Sequence, residues 1–184
     1  VEAIMQCVIP RAELYNLTFP VKKNETLERE FLETCLFDNG YARTPMVENR
    51  GEFSVRGDII DIYPPASSDP LRIEFFDNRI ESIREFDISS QVSLKVIERL
   101  EILPVREVSP TSGQKEAGLE KISHLAREHD ADPAGVKELT DKVQHLDNFA
   151  GMEHLAPFFY SRRETLFDYL SKDAVVVFDE EDRP

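Results

Sequence analysis

From Gly51 to Asp87 the chain reads GEFSVRGDIIDIYPPASSDPLRIEFFDNRIESIREFD, in which apolar and polar residues alternate between strong turn signals. Phe53 and Val55 alternate with Ser54 and Arg56, and Leu71, Ile73 and Phe75 alternate with Arg72, Glu74 and Phe76. A period of two is the pattern of strands that bury one face, because successive side chains leave a strand on opposite sides. Arg56-Gly57 interrupts the first run and predicts a bulge or bend there. The Pro64–Pro70 segment, with three prolines, predicts a loop, since proline lacks the amide a ladder needs. Asp77-Asn78 fits a two-residue hairpin turn between Phe76 and Arg79. The expected product is a small antiparallel sheet.

If Leu71, Ile73 and Phe75 point inward, Arg72, Glu74 and Phe76 leave β-structure together on the other face. An aromatic ring among arginine and carboxylate side chains is the make-up of a protein-binding hot spot. The basic residues of this stretch and its lead-in are all arginines: Arg50, Arg56, Arg72, Arg79 and Arg84. Arginine offers a planar fork that pairs with carboxylates and is weakly hydrated enough to enter interfaces. The competing reading puts Phe76 beneath a helix on a two-sided sheet, with the arginines as ordinary solvated charges. The sequence leaves both open, and it does not tell whether Arg56, on another strand, joins the same patch.

The wider chain narrows the function classes. It has 184 residues and a net charge of −14, divided as −7 over residues 1–105 and −7 over 106–184. Acidity spread this evenly repels a nucleic-acid backbone, so DNA binding by this chain alone is disfavoured. Cys7 and Cys35 make neither a disulfide framework nor a four-ligand zinc site, and a reducing, cytoplasmic setting is expected. No apolar run approaches the roughly 20 residues of a membrane helix. No GxxxxGK[ST] loop is present, His124, His129, His145 and His154 lack metal spacing, and no serine or cysteine has a nucleophile context. No catalytic, cofactor or metal site is expected. Starting at Val1 without an initiator methionine, the sequence reads as a module of a longer protein.

Around the sheet, the spacing of Leu27, Phe31, Leu32 and Leu36 predicts a helix over 27–37 with Thr26 as N-cap, stopped by Asn39-Gly40. Residues 1–20 look like the tail of an earlier element, and Val92–Val105 supplies one or two further strands. Residues 107–115 read as a linker. Beyond it the period becomes 3.6, predicting helices over 117–128 and from Asp132-Pro133 through Val136, Leu139, Val143 and Leu146. Shorter helical pieces are expected at 151–160 and 165–170, and Ala174–Phe178 reads as a buried strand. The fold class is α+β: a small antiparallel sheet domain with a flanking helix, then a mainly helical segment ending in a strand.

The pieces GEFSVRGDIIDIYPP, LRIEFFDNRIESIREFD and LEILPVREV resemble the module shared by the nucleotide-excision-repair protein UvrB and bacterial transcription-repair coupling factors. The segments FDISSQVSL, GMEHLAPFFY and TLFDYL are more similar to the coupling factors. The resemblance covers essentially the whole chain. It implies that residues 1–15 are a remnant of a degenerate helicase-like domain, that 16–105 bind the damage-recognition ATPase UvrA, and that 106–184 return to the degenerate domain. AVVVFDEEDRP would be its relic of a nucleotide motif, with Asp179 and Glu180 serving no nucleotide. The family's UvrA-contacting residues match Arg56, Arg72 and Phe76, with Arg84 and Glu74 nearer to positions used in UvrB. The implied role is non-catalytic recruitment of UvrA to stalled transcription complexes, with RNA polymerase and DNA engaged only through other domains of the parent chain. The corresponding region of UvrB itself is the rival within the family. A small metal-dependent enzyme using Asp58, Asp61 and Glu74 is the rival outside it, and masking of the patch by another parent domain is a third possibility.

Overall fold

The alternating stretch does form strands, and they assemble into more than a small antiparallel sheet. The structure, a computed structural model, describes residues 6–145 and 149–177. The chain divides into two compact units, Leu14–Ser109 and Val1–Glu13 with Pro110–Pro184.

A helix, α1 (Arg11–Leu17), spans the boundary at Leu14, and through the Leu14–Ser109 unit the elements then run β1 (Phe19–Lys22), α2 (Arg29–Asp38), β2 (Ala42–Arg43), β3 (Glu52–Arg56), β4 (Ile59–Ile62), β5 (Leu71–Phe76), β6 (Arg79–Phe86), β7 (Ser93–Val96) and β8 (Arg99–Ile102). β2 to β7 form a six-stranded sheet in chain order, and β1 pairs with β8 in a separate two-stranded sheet. The six-stranded sheet is antiparallel except that β2 runs parallel to β3. Both two-residue hairpin turns have a residue at positive φ. Gly57 (φ 59°) begins the Gly57-Asp58 turn that pairs Arg56 with Ile59. Asp77 (φ 53°) begins the Asp77-Asn78 turn that pairs Phe76 with Arg79. The interruption at Arg56-Gly57 is therefore a hairpin turn and not a bulge within one strand.

One face of the sheet is the core. Phe53, Ile60, Ile62, Leu71, Ile73, Phe75, Ile80 and Ile83 are buried with Leu32 and Leu36 of α2 and with Val21, Leu100 and Ile102 of the smaller sheet. Burying each such side chain stabilises by roughly 1.5–3 kcal/mol, far above any single surface pair, so this face sets the strand register. Register then dictates which residues share the opposite face. Alternation continues across β6 despite a bulge at Glu81, where the ladder steps from Glu74↔Ser82 to Phe75↔Ile80.

Two local expectations for this unit need correction. Helix α2 begins at Arg29 after Glu28, without a side-chain cap. Thr26 is instead drawn into a bridge with Arg79, which leaves it too early in the chain to cap. Residues 1–20 are more than a tail, since α1 lies within them and β1 starts at Phe19. Two strands do form between Val92 and Val105, as expected, β7 joining the large sheet and β8 the small one.

The second unit is mainly helical, with α3 (Ser112–Glu128), α4 (Pro133–His145), a 3₁₀ turn (Met152–Leu155), α5 (Ala156–Phe159) and α6 (Leu166–Tyr169). The expected linker at 107–115 is shorter than its composition suggested, because α3 starts at Ser112. Thr111 and Gln114 form a capping box: Thr111 Oγ1 accepts from Gln114 N at 3.4 Å, and Gln114 Oε1 accepts from Thr111 N at 2.9 Å. Polar residues that look like loop are here the start signal of a helix. Asp132 caps α4, accepting from Gly135 N at 2.9 Å. The buried strand expected at Ala174–Phe178 is contradicted over 174–177. Those residues are exposed and unpaired in any ladder, and an apolar run becomes a strand only where a neighbouring strand meets it. Leu146, Phe178, Asp179 and Glu180 lie outside the described residues, as do residues 1–5. Among the described residues, no helix is long and apolar enough to cross a membrane.

Candidate partner-binding face

Strand register builds this face from β3, β4, β5 and β6. Ser54 lies opposite Asp61, Asp61 opposite Arg72, and Arg72 opposite Arg84. One row further along, Ile59 lies opposite Glu74 and Glu74 opposite Ser82. The five residues expected from sequence, Arg56, Arg72, Glu74, Phe76 and Arg84, thus belong to a single surface, whose charged members fall into two ion-pair groups.

The first group centres on Asp61, whose side chain is 2% exposed. Arg72 donates Nε to Asp61 Oδ1 at 2.7 Å and Nη2 to Asp61 Oδ2 at 3.0 Å. Arg56 reaches the same Oδ2 from β3 through Nη2. Arg72 Nη2 also donates to Gln91 Oε1 at 2.9 Å, and its guanidinium stacks 4.5 Å from the centre of the buried Phe86 ring. Hydrogen bonding to Asp61 holds the Arg72 guanidinium above its ordinary pKa. Fork-to-fork pairing of this kind is strong and directional. Arg56 therefore does share a cluster with Arg72, the point the sequence left open.

The second group is Glu74 with its neighbours on β6. Arg84 Nη2 lies 3.0 Å from Glu74 Oε2, which also accepts from Ser82 Oγ at 2.6 Å. Phe76 ends β5 with 69% of its surface exposed. Helix α2 packs its Leu32 and Leu36 into the core formed by the other face, so Phe76 is not covered by a helix.

Exposure separates the arginines into two kinds. The Arg56 and Arg84 side chains are 45% and 38% exposed, whereas Arg72 is 14% exposed and its fork is occupied within the chain. Arg50 and Arg79 are engaged elsewhere, Arg50 over the Tyr63 ring and Arg79 donating to Asn24 Oδ1 at 2.9 Å.

The loop behind the face is itself ordered by side chains. Asp87 Oδ1 accepts from Ser89 Oγ at 2.6 Å, Ser90 N at 2.8 Å and Ser90 Oγ at 2.7 Å, and these bonds pull its carboxyl pKa down to about 2. Gln91, at φ 58°, is thereby presented to Arg72. Sequence reasoning missed Asp61 as the hub and Phe86 and Gln91 as its supports. A signal for Asp61 was present: treating Gly57-Asp58 as the hairpin turn pairs Ser54 with Asp61 and brings Arg56 alongside.

The three carboxylates considered for a metal each lie near a cation. Asp61 is held by two guanidiniums, Glu74 by Arg84 and Ser82, and Asp58 lies 3.5 Å from Arg29 Nη1. Among the described residues no group of three or more His, Cys, Asp or Glu side chains is arranged to hold a metal ion. In the helical unit a cleft of about 320 Å³ is lined by Lys121, His124, Leu125, Glu128, Pro157 and Phe158, and none of the expected site residues contributes to it.

The UvrB interaction domain family matches residues 19–108. The chain is 34% identical over 183 residues to the transcription-repair-coupling factor of Myxococcus xanthus, covering 97% of this chain and 15% of that protein. It is 32% identical over 178 residues to the factor of Escherichia coli K12, covering 96% and 15%. For the factor of Bacillus subtilis 168 the identity is 31% over 199 residues, covering 98% and 16%. The chain spans about 15% of the length of these curated relatives.

Proposed function

This chain belongs, through residues 19–108, to the UvrB interaction domain family, and on that premise we propose that it is a non-catalytic recruitment module that binds UvrA. The observation that carries the proposal is the coincidence of the family match with the unit whose outer face carries the exposed Phe76 together with Arg84 and Arg56. The exposed ring supplies the apolar anchor, and Arg56 and Arg84 supply orientation and encounter rate through carboxylates of the partner. Glu74 holds Arg84 toward that partner, and Arg72 holds Asp61 and through it Arg56. In the longer parent protein this recruitment would act at stalled transcription complexes. RNA polymerase and DNA would be engaged by parent domains outside this chain, and the flanks 1–15 and 106–184 would belong to one degenerate helicase-like domain around the UvrA-binding part.

The test is calorimetric titration of the chain with UvrA from the same organism, comparing wild type with Phe76→Ala and Arg84→Ala. Phe76→Ala is expected to cost about 2 kcal/mol or more in binding, the size of a hot-spot truncation. Unchanged affinity in a folded Phe76→Ala variant would refute the role of the face, and no binding by folded wild type would refute UvrA as the partner.

A further inference from the structure

The sheet has an open side next to this face. Among the described residues β7 pairs with β6 and with no strand beyond it. All four β7 residues are exposed, and Val92, Leu94 and Val96 each expose more than half their surface. A free edge with apolar side chains is a template for another strand, and proteins normally blunt such edges with proline, charge or bulges. Here residues 92–97 (VSLKVI) contain no proline and one charge. That charge, Lys95, has no ion-pair partner among the described residues. Besides Lys95, the edge is blunted by a bulge that leaves Leu94 without an opposite residue, between the pairs Phe86↔Ser93 and Glu85↔Lys95. Val96 lies directly opposite Arg84, so the apolar edge is continuous with the face assigned above.

We infer that β7 is part of the partner-binding surface and that an extended segment of the partner adds to it as the next strand. Backbone hydrogen bonds to the edge would supply affinity, and side chains at alternate positions would supply selectivity. The chemistry of the edge selects a segment with apolar residues against Val92, Leu94 and Val96 and a carboxylate opposite Lys95. This inference rests on the reading that the outer face binds UvrA, and it adds an element that Phe76 and the arginines do not require.

The experiment pairs calorimetry with amide hydrogen exchange on the chain with and without UvrA, for wild type, Phe76→Ala and a Leu94→Lys/Val96→Lys variant. The lysines replace exposed side chains, so circular dichroism should report an unchanged fold. Strand addition predicts at least tenfold slower exchange of β7 amides in the complex and at least tenfold weaker binding by the lysine variant. Wild-type binding that is lost in Phe76→Ala but kept in the lysine variant, without β7 protection, would overturn the edge inference alone. Absence of any wild-type binding would overturn the proposed function and the edge inference with it. Protection of β7 that rises with chain concentration in the absence of UvrA would assign the edge to a second copy of the chain and overturn the partner named here.

Discussion

Replacing Asp61 by alanine should be among the most damaging single changes to the sheet, and its cost can be worked from the hydrogen bonds. The carboxylate is 2% exposed and accepts two bonds from Arg72 and one from Arg56. Its removal leaves Arg72, 14% exposed, holding a guanidinium with Gln91 and the Phe86 ring as its remaining partners. Breaking a buried pair by deleting one partner costs about 3–5 kcal/mol, because the surviving charge stays desolvated. Arg56 is half-exposed and can turn to water, so its share is at most about 1 kcal/mol, the value of an exposed pair. Asp61→Ala should therefore destabilise by about 3 kcal/mol, and Arg56→Ala by less than about 1 kcal/mol. Because the chain has two compact units, a single unfolding signal mixes two transitions. Amide exchange at Ile60 and Ile73, both fully buried in the sheet core, isolates the relevant one. A cost for Asp61→Ala below about 1 kcal/mol, no larger than for Arg56→Ala, would refute the argument that burial makes this pairing indispensable. The same reasoning explains why Arg72→Ala is a poor probe of partner contact: binding would fall because Asp61 and Arg56 lose their anchor, whether or not Arg72 touches the partner.

Phe76→Ala should leave stability within about 0.5 kcal/mol by amide exchange at Ile60 and Ile73, because an exposed side chain away from caps and ion pairs contributes little to folding; a larger loss would mean the ring is part of the core. Gly118→Ala should cost about 1–3 kcal/mol in thermal unfolding, since an added Cβ would stand 2.3 Å from Phe159 Cδ1 and force α3 away from α5; an unchanged Tm would contradict that close approach. The 87–92 loop should loosen only in strong acid. The Asp87 pKa is depressed from 3.8 to about 2, so its bonds contribute fully above the ordinary value and are lost as pH falls through about 2. A nuclear magnetic resonance titration of the Ser90 amide should have its midpoint there, and one near 3.8 would disprove the capping role.

Local patterns in the sequence determined a large part of this molecule. Period-two alternation selected Leu71, Ile73 and Phe75 for the core and turned Arg72, Glu74 and Phe76 outward, because strand geometry leaves no other choice once one face is apolar. Asp77-Asn78 specified its hairpin, and Asn39-Gly40 ended α2, because only certain residues accept the backbone angles those points require. Pairing between distant segments was decided by tertiary structure alone. Phe19–Lys22 becomes a strand by meeting Arg99–Ile102, about eighty residues away, and Thr26 is diverted from a helix cap by Arg79. Ala174–Val177, apolar enough for a strand, finds no partner among the described residues and stays exposed. The gathering of Arg56 and Arg72 on Asp61 belongs to the same class. Alternation assigns a side chain to a face, but its neighbours on that face depend on register, which is chosen by the burial energy of the opposite one.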